Sequence, residues 1–246
     1  MFVIAHVSDT HFGNDVHDPA GRNAAVMDHL LAMDPRPHVL VVSGDVADHG
    51  LPEEYVEARR WLDRWEGPLA VCPGNHDARD AFVAGLGIGT RTVVETGGSR
   101  FVMLDSLVDA DETGRVDPGR LGDDQLAWLD RRLAEDARPT YVCLHHPPTP
   151  IGLELMDPIR LRDGEALAVV VARHPHVVAV LVGHAHTMAA TTFAGRPLLI
   201  GGGVVSTVTV DAEAPPTLWY DAPPSFALHM VDDAGRVTSH WRALPA

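Results

Sequence analysis

The stretch VLVVSGDVAD, from Val39 to Asp48, decides the fold of this chain. Its first five residues form a short continuous apolar run that ends at Ser43, which is typical of a strand buried on both faces of a sheet. Gly44 and Asp45 then interrupt the run, as turn residues do. Because open α/β sheets bind ligands at the carboxyl ends of their strands, this stretch predicts a buried strand that leads into a functional edge.

The segments around this stretch repeat a strand–helix rhythm. Short apolar runs alternate with segments whose apolar residues recur at helical spacing. The predicted strands are 2–7, 39–43, 69–72, 100–104, 140–144 and 177–182, and the predicted helices are 20–33, 53–65, 123–135 and 165–174. This alternation predicts an α/β fold built from βαβ units with buried strands.

The rhythm changes after residue 187. Short apolar or alternating runs, separated by Gly, Pro and Asp, predict a β-rich segment with hairpins. These runs are 189–193, 198–200, 204–210, 226–231 and 236–241. The chain has no internal repeat and no low-complexity linker, and 246 residues suit one large α/β domain, so we expect residues 1–246 to form a single domain.

The apolar content indicates a protein with a substantial core and no membrane segment. Hydrophobic residues make up 46% of the chain, yet no run approaches the ~20 apolar residues of a membrane helix. The first nine residues have no basic segment of the signal-peptide kind, so we expect a cytoplasmic protein. Cys72 and Cys143 each lie in an apolar run, which predicts two reduced core thiols and no disulfide.

The charge balance excludes several classes of function. The net charge is −15, and all 19 basic residues are arginine. Without lysine there is neither Schiff-base chemistry nor a P-loop lysine. Such an acidic chain disfavours binding of long nucleic acid through a broad basic face, but it permits a small phosphate substrate where bound metal ions make the local field positive.

Five polar motifs follow five of the predicted strands. Each motif taken alone has an ordinary explanation, because Asp and Asn are common in turns and a single His is more often a partly buried core residue than a ligand. Together they bring Asp, Asn and His to five strand ends, and none of them brings Cys. The motifs are Asp9-Thr10-His11, Gly44-Asp45-Val46-Ala47-Asp48, Gly74-Asn75-His76-Asp77, His145-His146-Pro147 and Gly183-His184-Ala185-His186. Their combination predicts one metal site at the carboxyl edge of the sheet.

The candidate ligands are carboxylate, amide and imidazole groups. They are Asp9, His11, Asp45, Asn75, His145, His184 and His186. Such oxygen and nitrogen donors suit Mn, Fe, Zn, Co or Ni, and they suit Cu(I) or a thiolate cluster poorly. Seven ligands are more than one ion needs, whereas two ions that share a carboxylate fit the number. Pairs of ions ~3.5–4 Å apart are suited to in-line displacement at phosphorus.

The five motifs, in this order across residues 9–186, resemble the calcineurin-like metallophosphoesterase superfamily. Its signature is Asp-x-His, Gly-Asp, Gly-Asn-His-Asp/Glu, His and Gly-His-x-His. The resemblance implies an α/β fold of two packed mixed β-sheets flanked by helices. Leu-Asp-Ser at 104–106, Gln-Leu-Ala-Trp-Leu at 125–129 and His-His-Pro-Pro at 145–148 further resemble bacterial class III cyclic nucleotide phosphodiesterases and glycerophosphodiesterases.

The resemblance also implies how the ligands are shared between two transition-metal ions per chain, divalent or trivalent. Mn or Fe is favoured, with Zn and Co as alternatives. In the fourth motif the ligand is the first histidine, His145. One ion is then held by Asp9, His11 and His186, the other by Asn75, His145 and His184, and Asp45 bridges the two.

His76 and Asp48 are the residues to which the resemblance gives a catalytic role. His76 would contact the substrate phosphate and act as an acid or as an electrostatic stabiliser. Asp48 is at the position that orients this histidine by a hydrogen bond. Protein Ser/Thr phosphatases of the superfamily have Asp-Arg-Gly where this chain has Asp48-His49-Gly50, and Glu where it has Asp77, so a phosphoprotein substrate is disfavoured.

The function implied by the resemblance is hydrolysis of small phosphodiesters, 3',5'-cyclic nucleotides first among them, by a hydroxide that bridges the metal ions and attacks phosphorus. The alternatives are a glycerophosphodiesterase, a broad-specificity phosphomonoesterase or nuclease, and a non-catalytic binding module on the same fold. Such a module should have lost metal ligands, and this chain retains all seven. The partner is then a small phosphodiester, with neither long nucleic acid nor a membrane, and a homodimer is left open.

Overall fold

A computed structural model of the chain describes residues 1–16, 18–112, 114–213 and 217–245. The helices are α1 (Pro19–Ala32), α2 (Pro52–Leu62), α3 (Arg79–Leu86), α4 (Gly122–Ala134) and α5 (Gly164–Arg173), and a 3-10 turn covers Asp157–Ile159. The strands are β1 (Phe2–Val7), β2 (Val39–Ser43), β3 (Leu69–Cys72), β4 (Thr92–Thr96), β5 (Ser99–Met103), β6 (Val108–Asp111), β7 (Gly114–Val116), β8 (Thr140–Cys143), β9 (Val177–Val182), β10 (Ala189–Phe193), β11 (Arg196–Ile200), β12 (Thr207–Val208), β13 (Leu218–Trp219), β14 (Ser225–Val231) and β15 (Val237–Ala243).

Two mixed sheets form the centre of the molecule. The first has the order β15-β14-β1-β2-β3, in which β1, β2 and β3 are parallel. The second has the order β10-β11-β9-β8-β5-β4, in which β11, β9, β8 and β5 are parallel and the two edge strands are antiparallel. The parallel strands point their carboxyl ends at the site, while β6–β7 and β12–β13 form two small separate hairpins.

The sheets pack face to face and helices cover their outer faces. Side chains such as Val41 from the first sheet and Phe101 and Leu181 from the second form one fully buried cluster. α1, α2 and α3 pack on the outer face of the first sheet, and α4 and α5 pack on that of the second. This helix–sheet–sheet–helix arrangement confirms the predicted fold class, and the five-residue run of β2 is buried throughout as the sequence indicates.

The remaining expectations about the core can be compared directly with the structure. Cys72 and Cys143 are buried free thiols, as predicted. Among the described residues, no helix is long and apolar enough to cross a membrane. The predicted strand at 204–210 is wrong for most of its length, because only Thr207–Val208 is a strand. Val204 instead donates its backbone N–H to the carbonyl oxygen of Ser8 in the loop after β1.

Candidate metal centre

The seven candidate ligands meet at the carboxyl ends of five strands. Asp9 and His11 follow β1, and the other motifs follow β2, β3, β8 and β9 in turn. The two sheets therefore both contribute ligands to a single centre, three strands from the first sheet and two from the second. The residues that the sequence assigned to one metal site are thus adjacent in space.

Five of these seven residues have a left-handed backbone. Their φ angles are 56° at Asp9, 40° at His11, 48° at Asp45, 65° at His184 and 51° at His186. Side chains other than glycine rarely adopt this region, although Asp and His are enriched among those that do. The sharp turns that follow the strands thus depend on residue types that can both tolerate this conformation and bind metal.

Two motif glycines allow the strand ends to approach one another. A Cβ on Gly44, whose φ is 94°, would lie 2.4 Å from Nδ1 of His145. A Cβ on Gly74 would lie 2.2 Å from Oδ1 of Asp45. Because real Cβ atoms do not approach other atoms so closely, glycine is required at both positions for the ligands to converge.

One group of donors comprises Asp9, His11, Asp45 and His186. The Nε2 atoms of His11 and His186 lie 3.2 Å apart. Nε2 of His186 is 3.3 Å from Oδ1 of Asp9, and Nε2 of His11 is 3.6 Å from Oδ2 of Asp45. Two imidazole nitrogens and two carboxylate oxygens therefore face a common point.

A second group of donors lies on the other side of Asp45. Nε2 of His145 is 3.1 Å from Oδ1 of Asn75 and 3.2 Å from Nδ1 of His184. The same Nε2 is 3.2 Å from Oδ2 of Asp45. Asp45 Oδ2 is therefore near the imidazoles of both groups, which is the position a bridging ligand must occupy.

Partners outside the centre orient the imidazole rings. Nδ1 of His145 donates to the carbonyl oxygen of Ser43 at 2.7 Å. Nδ1 of His186 lies 2.7 Å from Oγ of Ser206, and Nδ1 of His11 lies 2.8 Å from Oδ1 of Asp48. Such contacts at one ring nitrogen are the usual way in which a ligand histidine is turned so that its other nitrogen faces a metal.

The charges at the centre fit a cation. Both carboxylate oxygens of Asp9 are buried and have no hydrogen-bond partner among the described residues. Burial raises the pKa of Asp9 to about 6, while nearby His145 opposes the rise. Burial also acts to raise the pKa of Asp45, but His145 and His76 outweigh it and hold that pKa well below its ordinary value. A bound cation would satisfy the orphaned oxygens of Asp9, so the residues present suit metal ions.

His146 is not a candidate ligand, because hydrogen bonds occupy both of its ring nitrogens. Its Nδ1 is 2.8 Å from Oγ of Ser106, and its Nε2 is 2.9 Å from the carbonyl oxygen of Asp117. Burial lowers the pKa of His146 to about 3, so the ring is neutral and both of its nitrogens are occupied. His145 is the histidine of this pair that faces the donors.

His76 lies beside the centre and remains partly exposed. Its backbone N–H donates to Oδ1 of Asp45 at 2.9 Å, and its side chain is 20% exposed. The contact expected from Asp48 is present in a different form from that predicted. The backbone carbonyl oxygen of Asp48 accepts from Nδ1 of His76 at 2.8 Å, while its carboxylate is 3.7 Å from His76 and instead contacts His11.

Three further residues of the site had no role assigned from the sequence, although Asp77 belongs to the third motif. The carboxylate of Asp77 accepts hydrogen bonds from the backbone N–H groups of Val46, Ala47 and Gly74, and these bonds connect the second motif to the third. Arg115, on β7, donates through Nε to Asp117 at 2.7 Å. Asp117 in turn accepts from Nδ2 of Asn75 at 3.3 Å, which leaves the amide oxygen facing the centre. Arg115 and Asp117 follow no apolar strand, so no strand-end pattern could identify them.

Two cavities meet at the centre. A cavity of about 170 Å³ is lined by four of the seven candidate ligands and by five apolar side chains. A second, larger cavity of about 750 Å³ lies beside it. The residues common to both are Asn75, His76 and Arg115. A phosphoryl group at the centre would therefore have space on either side for its ester substituents.

Comparison with known proteins identifies relatives of this chain and of its fold. The family model described as calcineurin-like phosphoesterase matches residues 2–188. The chain is 33% identical over 244 residues to a glycerophosphodiester phosphodiesterase of Enterobacter lignolyticus (strain SCF1), covering 92% of this chain and 86% of the relative. It is 39% identical over 184 residues to a probable cyclic nucleotide phosphodiesterase of Synechococcus sp., covering 72% and 69%. Among solved structures, a dimetal phosphatase from Danio rerio aligns with a TM-score of 0.68 at 16% identity, covering 92% and 95%.

Proposed function

The chain belongs to the calcineurin-like phosphoesterase family, and on that premise we propose that it is a metal-dependent phosphodiesterase of small phosphodiesters, 3',5'-cyclic nucleotides first among them. The observation that carries the proposal is the position of Asp45 Oδ2, which lies 3.6 Å from Nε2 of His11 and 3.2 Å from Nε2 of His145. One carboxylate between two groups of donors is the arrangement that two ions acting on one phosphoryl group require.

The two groups of donors support a proposed assignment of ligands to each ion. Asp9, His11 and His186 would hold one ion, Asn75, His145 and His184 would hold the other, and Asp45 would bridge them. The mixture of oxygen and imidazole donors favours Mn or Fe, with Zn and Co as alternatives. Two ions bound there would neutralise the phosphoryl charge and activate a water molecule at neutral pH.

His76 is the side chain best placed to assist the leaving group. Its Nδ1–H is held by the carbonyl oxygen of Asp48, so its Nε2 is directed toward the centre, 4.0 Å from Oδ2 of Asp45. A proton held on Nε2 can pass to the departing alkoxide oxygen, which leaves poorly as an anion.

Arg115 supplies a positive charge where the two cavities meet. Its Nη1 is 3.0 Å from Nδ1 of His76. Because that nitrogen already donates its hydrogen to Asp48, the guanidinium finds no acceptor there and keeps N–H donors for a phosphoryl oxygen.

Glycerophosphodiesters are the second candidate substrate class. The relative from Enterobacter that carries this activity in its name aligns over 92% of the chain, against 72% for the Synechococcus relative, which is one of several named for cyclic nucleotides. Long nucleic acid is disfavoured because the chain has a net charge of −15 and no lysine.

A substrate panel with the metal-reconstituted protein tests the proposal. After loading with Mn²⁺, we expect hydrolysis of cyclic AMP, cyclic GMP and bis(p-nitrophenyl) phosphate. We also expect bis(p-nitrophenyl) phosphate to be hydrolysed faster than p-nitrophenyl phosphate at the same pH. A faster reaction with the monoester would instead indicate a phosphomonoesterase, and faster turnover of glycerophosphodiesters than of cyclic nucleotides would reverse the order of the two substrate classes.

A further inference from the structure

We infer that the 170 Å³ cavity beside the metal centre is a subsite for a planar, uncharged aromatic arm of the diester, such as a nucleobase. This inference rests on the proposed function and specifies which ester substituent the site selects. The apolar part of the cavity is built from Leu155, Met156, Ile159, Val208 and Leu218. The same cavity is lined by ligand candidates, so a substituent of the phosphoryl group can enter it directly.

The apolar lining comes from two chain segments that are joined to each other. The loop before the 3-10 turn carries Leu155, and the β12–β13 hairpin carries Leu218. The backbone N–H of Glu154 donates to the carboxylate of Asp211 in the hairpin, at 3.2 and 3.3 Å from its two oxygens. The carboxylate of Asp157 accepts from the N–H groups of Ile151 and Gly152, at 2.7 and 3.1 Å, and fixes the loop. The wall is therefore held in place before any ligand binds.

Two of these side chains are more exposed than an ordinary core leucine. Leu155 is 44% exposed and Leu218 is 38% exposed, at the mouth of a cavity whose other residues are mostly polar. A ligand that covers them removes apolar surface from water, which is favourable in proportion to the area buried. An uncharged ring gains from this contact, whereas a hydroxylated glycerol arm has little apolar surface to offer.

The charges around the cavity decide against a cationic arm. Two carboxylates line the cavity, but Asp117 is paired with Arg115 at 2.7 Å, and Asp45 would bind the metal ions of the proposed function, which add further positive charge. A choline or ethanolamine arm would be repelled by these charges at short range. The cavity is also too small for an acyl chain, which leaves a compact aromatic ring as the occupant.

The test compares two probes that differ only in the base. Adenosine 5'-monophosphate and ribose 5-phosphate carry the same sugar phosphate, and binding of each to the Mn²⁺-loaded protein can be measured by calorimetry. We expect the nucleotide to bind about tenfold more tightly, because burial of roughly 55 Å² of apolar surface at ~25 cal/mol per Å² is worth about 1.4 kcal/mol, a factor of ten.

The double variant Leu155→Ser/Leu218→Ser should bind the two probes within about twofold of each other. Neither leucine belongs to the core, so the variant should fold, and unchanged affinity for ribose 5-phosphate shows that the phosphate site is intact. Val169→Ser is the matched control, since it replaces an apolar residue that is 62% exposed on α5, and it should keep the tenfold difference.

The binding experiment tests the aromatic subsite, and the turnover experiment tests the proposed function, so each can be contradicted without the other. Equal affinity of the wild-type protein for both probes, or an unchanged preference in the double variant, overturns the aromatic subsite even when diesters are hydrolysed. A protein that prefers the nucleotide but hydrolyses none of the diesters keeps the subsite and overturns the proposed function.

Discussion

At the scale of single residues, the centre depends on backbone turns that ordinary side chains avoid. Asp9, Asp45 and His184 each take a left-handed conformation, two residues after the last residue of a strand. Such conformations cost of order 1–3 kcal/mol each and persist only where surrounding structure imposes them. Here the surroundings include Gly44 and the carboxylate of Asp77, which accepts three backbone N–H groups. The ligand geometry is therefore set by the protein before any ion binds.

Removal of the His76 side chain should impair chemistry without loss of metal. His76 is adjacent to Asn75, and neighbouring side chains point in different directions, so both cannot face one ion. His76→Ala should retain both ions and lose ~10²–10⁴-fold in turnover of a cyclic nucleotide, the usual range for a general acid or base. The loss should be much smaller with bis(p-nitrophenyl) phosphate, because nitrophenolate leaves without protonation.

The two losses distinguish the roles that His76 can have. Equal losses on both substrates mean that His76 stabilises phosphoryl charge and donates no proton. Loss of metal from the variant, measured by elemental analysis, contradicts a catalytic role and makes His76 a structural residue.

The residues that orient the ligand histidines should control metal affinity. Asp48 contacts His11 at 2.8 Å, and Ser206 contacts His186 at 2.7 Å. Asp48→Asn and Ser206→Ala should each lower the affinity for one of the two ions by ~10–100-fold, as loss of such partners does at other metal sites. Competition with a chromophoric chelator measures the change, and Asp63→Asn, at the exposed end of α2, is the control. Affinities within twofold of wild type in all three proteins would show that these contacts do not orient the rings.

At this scale, the sequence predicted which candidate ligands converge, but it did not indicate the residues that surround them. Asp45 and Asn75 lie just after apolar strands. Their positions could therefore be predicted, because a short apolar run followed by a turn marks the end of a strand. Arg115 and Asp117 lie in or beside the short hairpin β6–β7, where no apolar run precedes them. Ser206 lies inside a segment that resembles a strand. Contacts made by such residues depend on tertiary packing, which local patterns do not encode.

At the scale of elements, the strands were predicted best. β1, β2, β3, β9 and β10 have the predicted bounds because each is a contiguous run between clear breaks. The helices are displaced by a residue or more; the predicted helix 53–65 ends at Leu62, where the chain turns back. α3 was missed, because its eight residues immediately follow the third motif and include Gly85, which weakens any helical signal.

One run of hydrogen bonds joins four strands in the interior of the first sheet. Nδ1 of His6 on β1 is 3.1 Å from Nε2 of His229 on β14, and Nε2 of His6 is 2.8 Å from Oγ of Ser43 on β2. Nδ1 of His229 is 2.8 Å from Oγ of Ser239 on β15. The same Ser43 offers its carbonyl oxygen to His145, so this run ends beside the metal centre. Both histidines are fully buried and need these partners.

This run should make the fold sensitive to acid. Burial lowers the pKa of His6 to about 3, and burial lowers the pKa of His229 well below its ordinary value. Between the ordinary value near 6.5 and about 3, the unfolded chain binds protons that the folded chain cannot, so stability falls as pH falls. Each such histidine should contribute about 1.4 kcal/mol of lost stability per pH unit within that window.

Urea unfolding of the metal-free protein at pH 6.5 to 4 measures this effect. In His229→Asn the slope of the unfolding free energy against pH should be smaller, by the amount that corresponds to about one fewer proton taken up on unfolding. Ser239→Ala, which removes a hydrogen bond but no titrating group, should be less stable with an unchanged pH dependence. A wild-type pH dependence in His229→Asn would show that this histidine is protonated in the folded state.

At the scale of the whole molecule, the candidate metal centre is formed by both sheets. Each sheet supplies some of the donors, and the buried cluster that contains Val41, Phe101 and Leu181 holds the sheets together. The βαβ rhythm predicted buried strands, and the resemblance implied two packed sheets. Neither of them determined that β3 ends one sheet and β5 belongs to the other. A single domain over residues 1–246 stays a prediction, for which one cooperative unfolding transition by independent probes is the expected result.

The central claim is that two metal ions share Asp45. Titration of the metal-free protein with Mn²⁺, followed by electron paramagnetic resonance, tests it most directly because two bridged Mn²⁺ ions give an exchange-coupled signal that isolated ions do not. We predict saturation near two ions per chain, a coupled signal in the wild-type protein, and loss of that signal in Asp45→Asn together with at least ~100-fold lower turnover. Saturation at one ion per chain, or a coupled signal and full turnover in Asp45→Asn, would contradict the account.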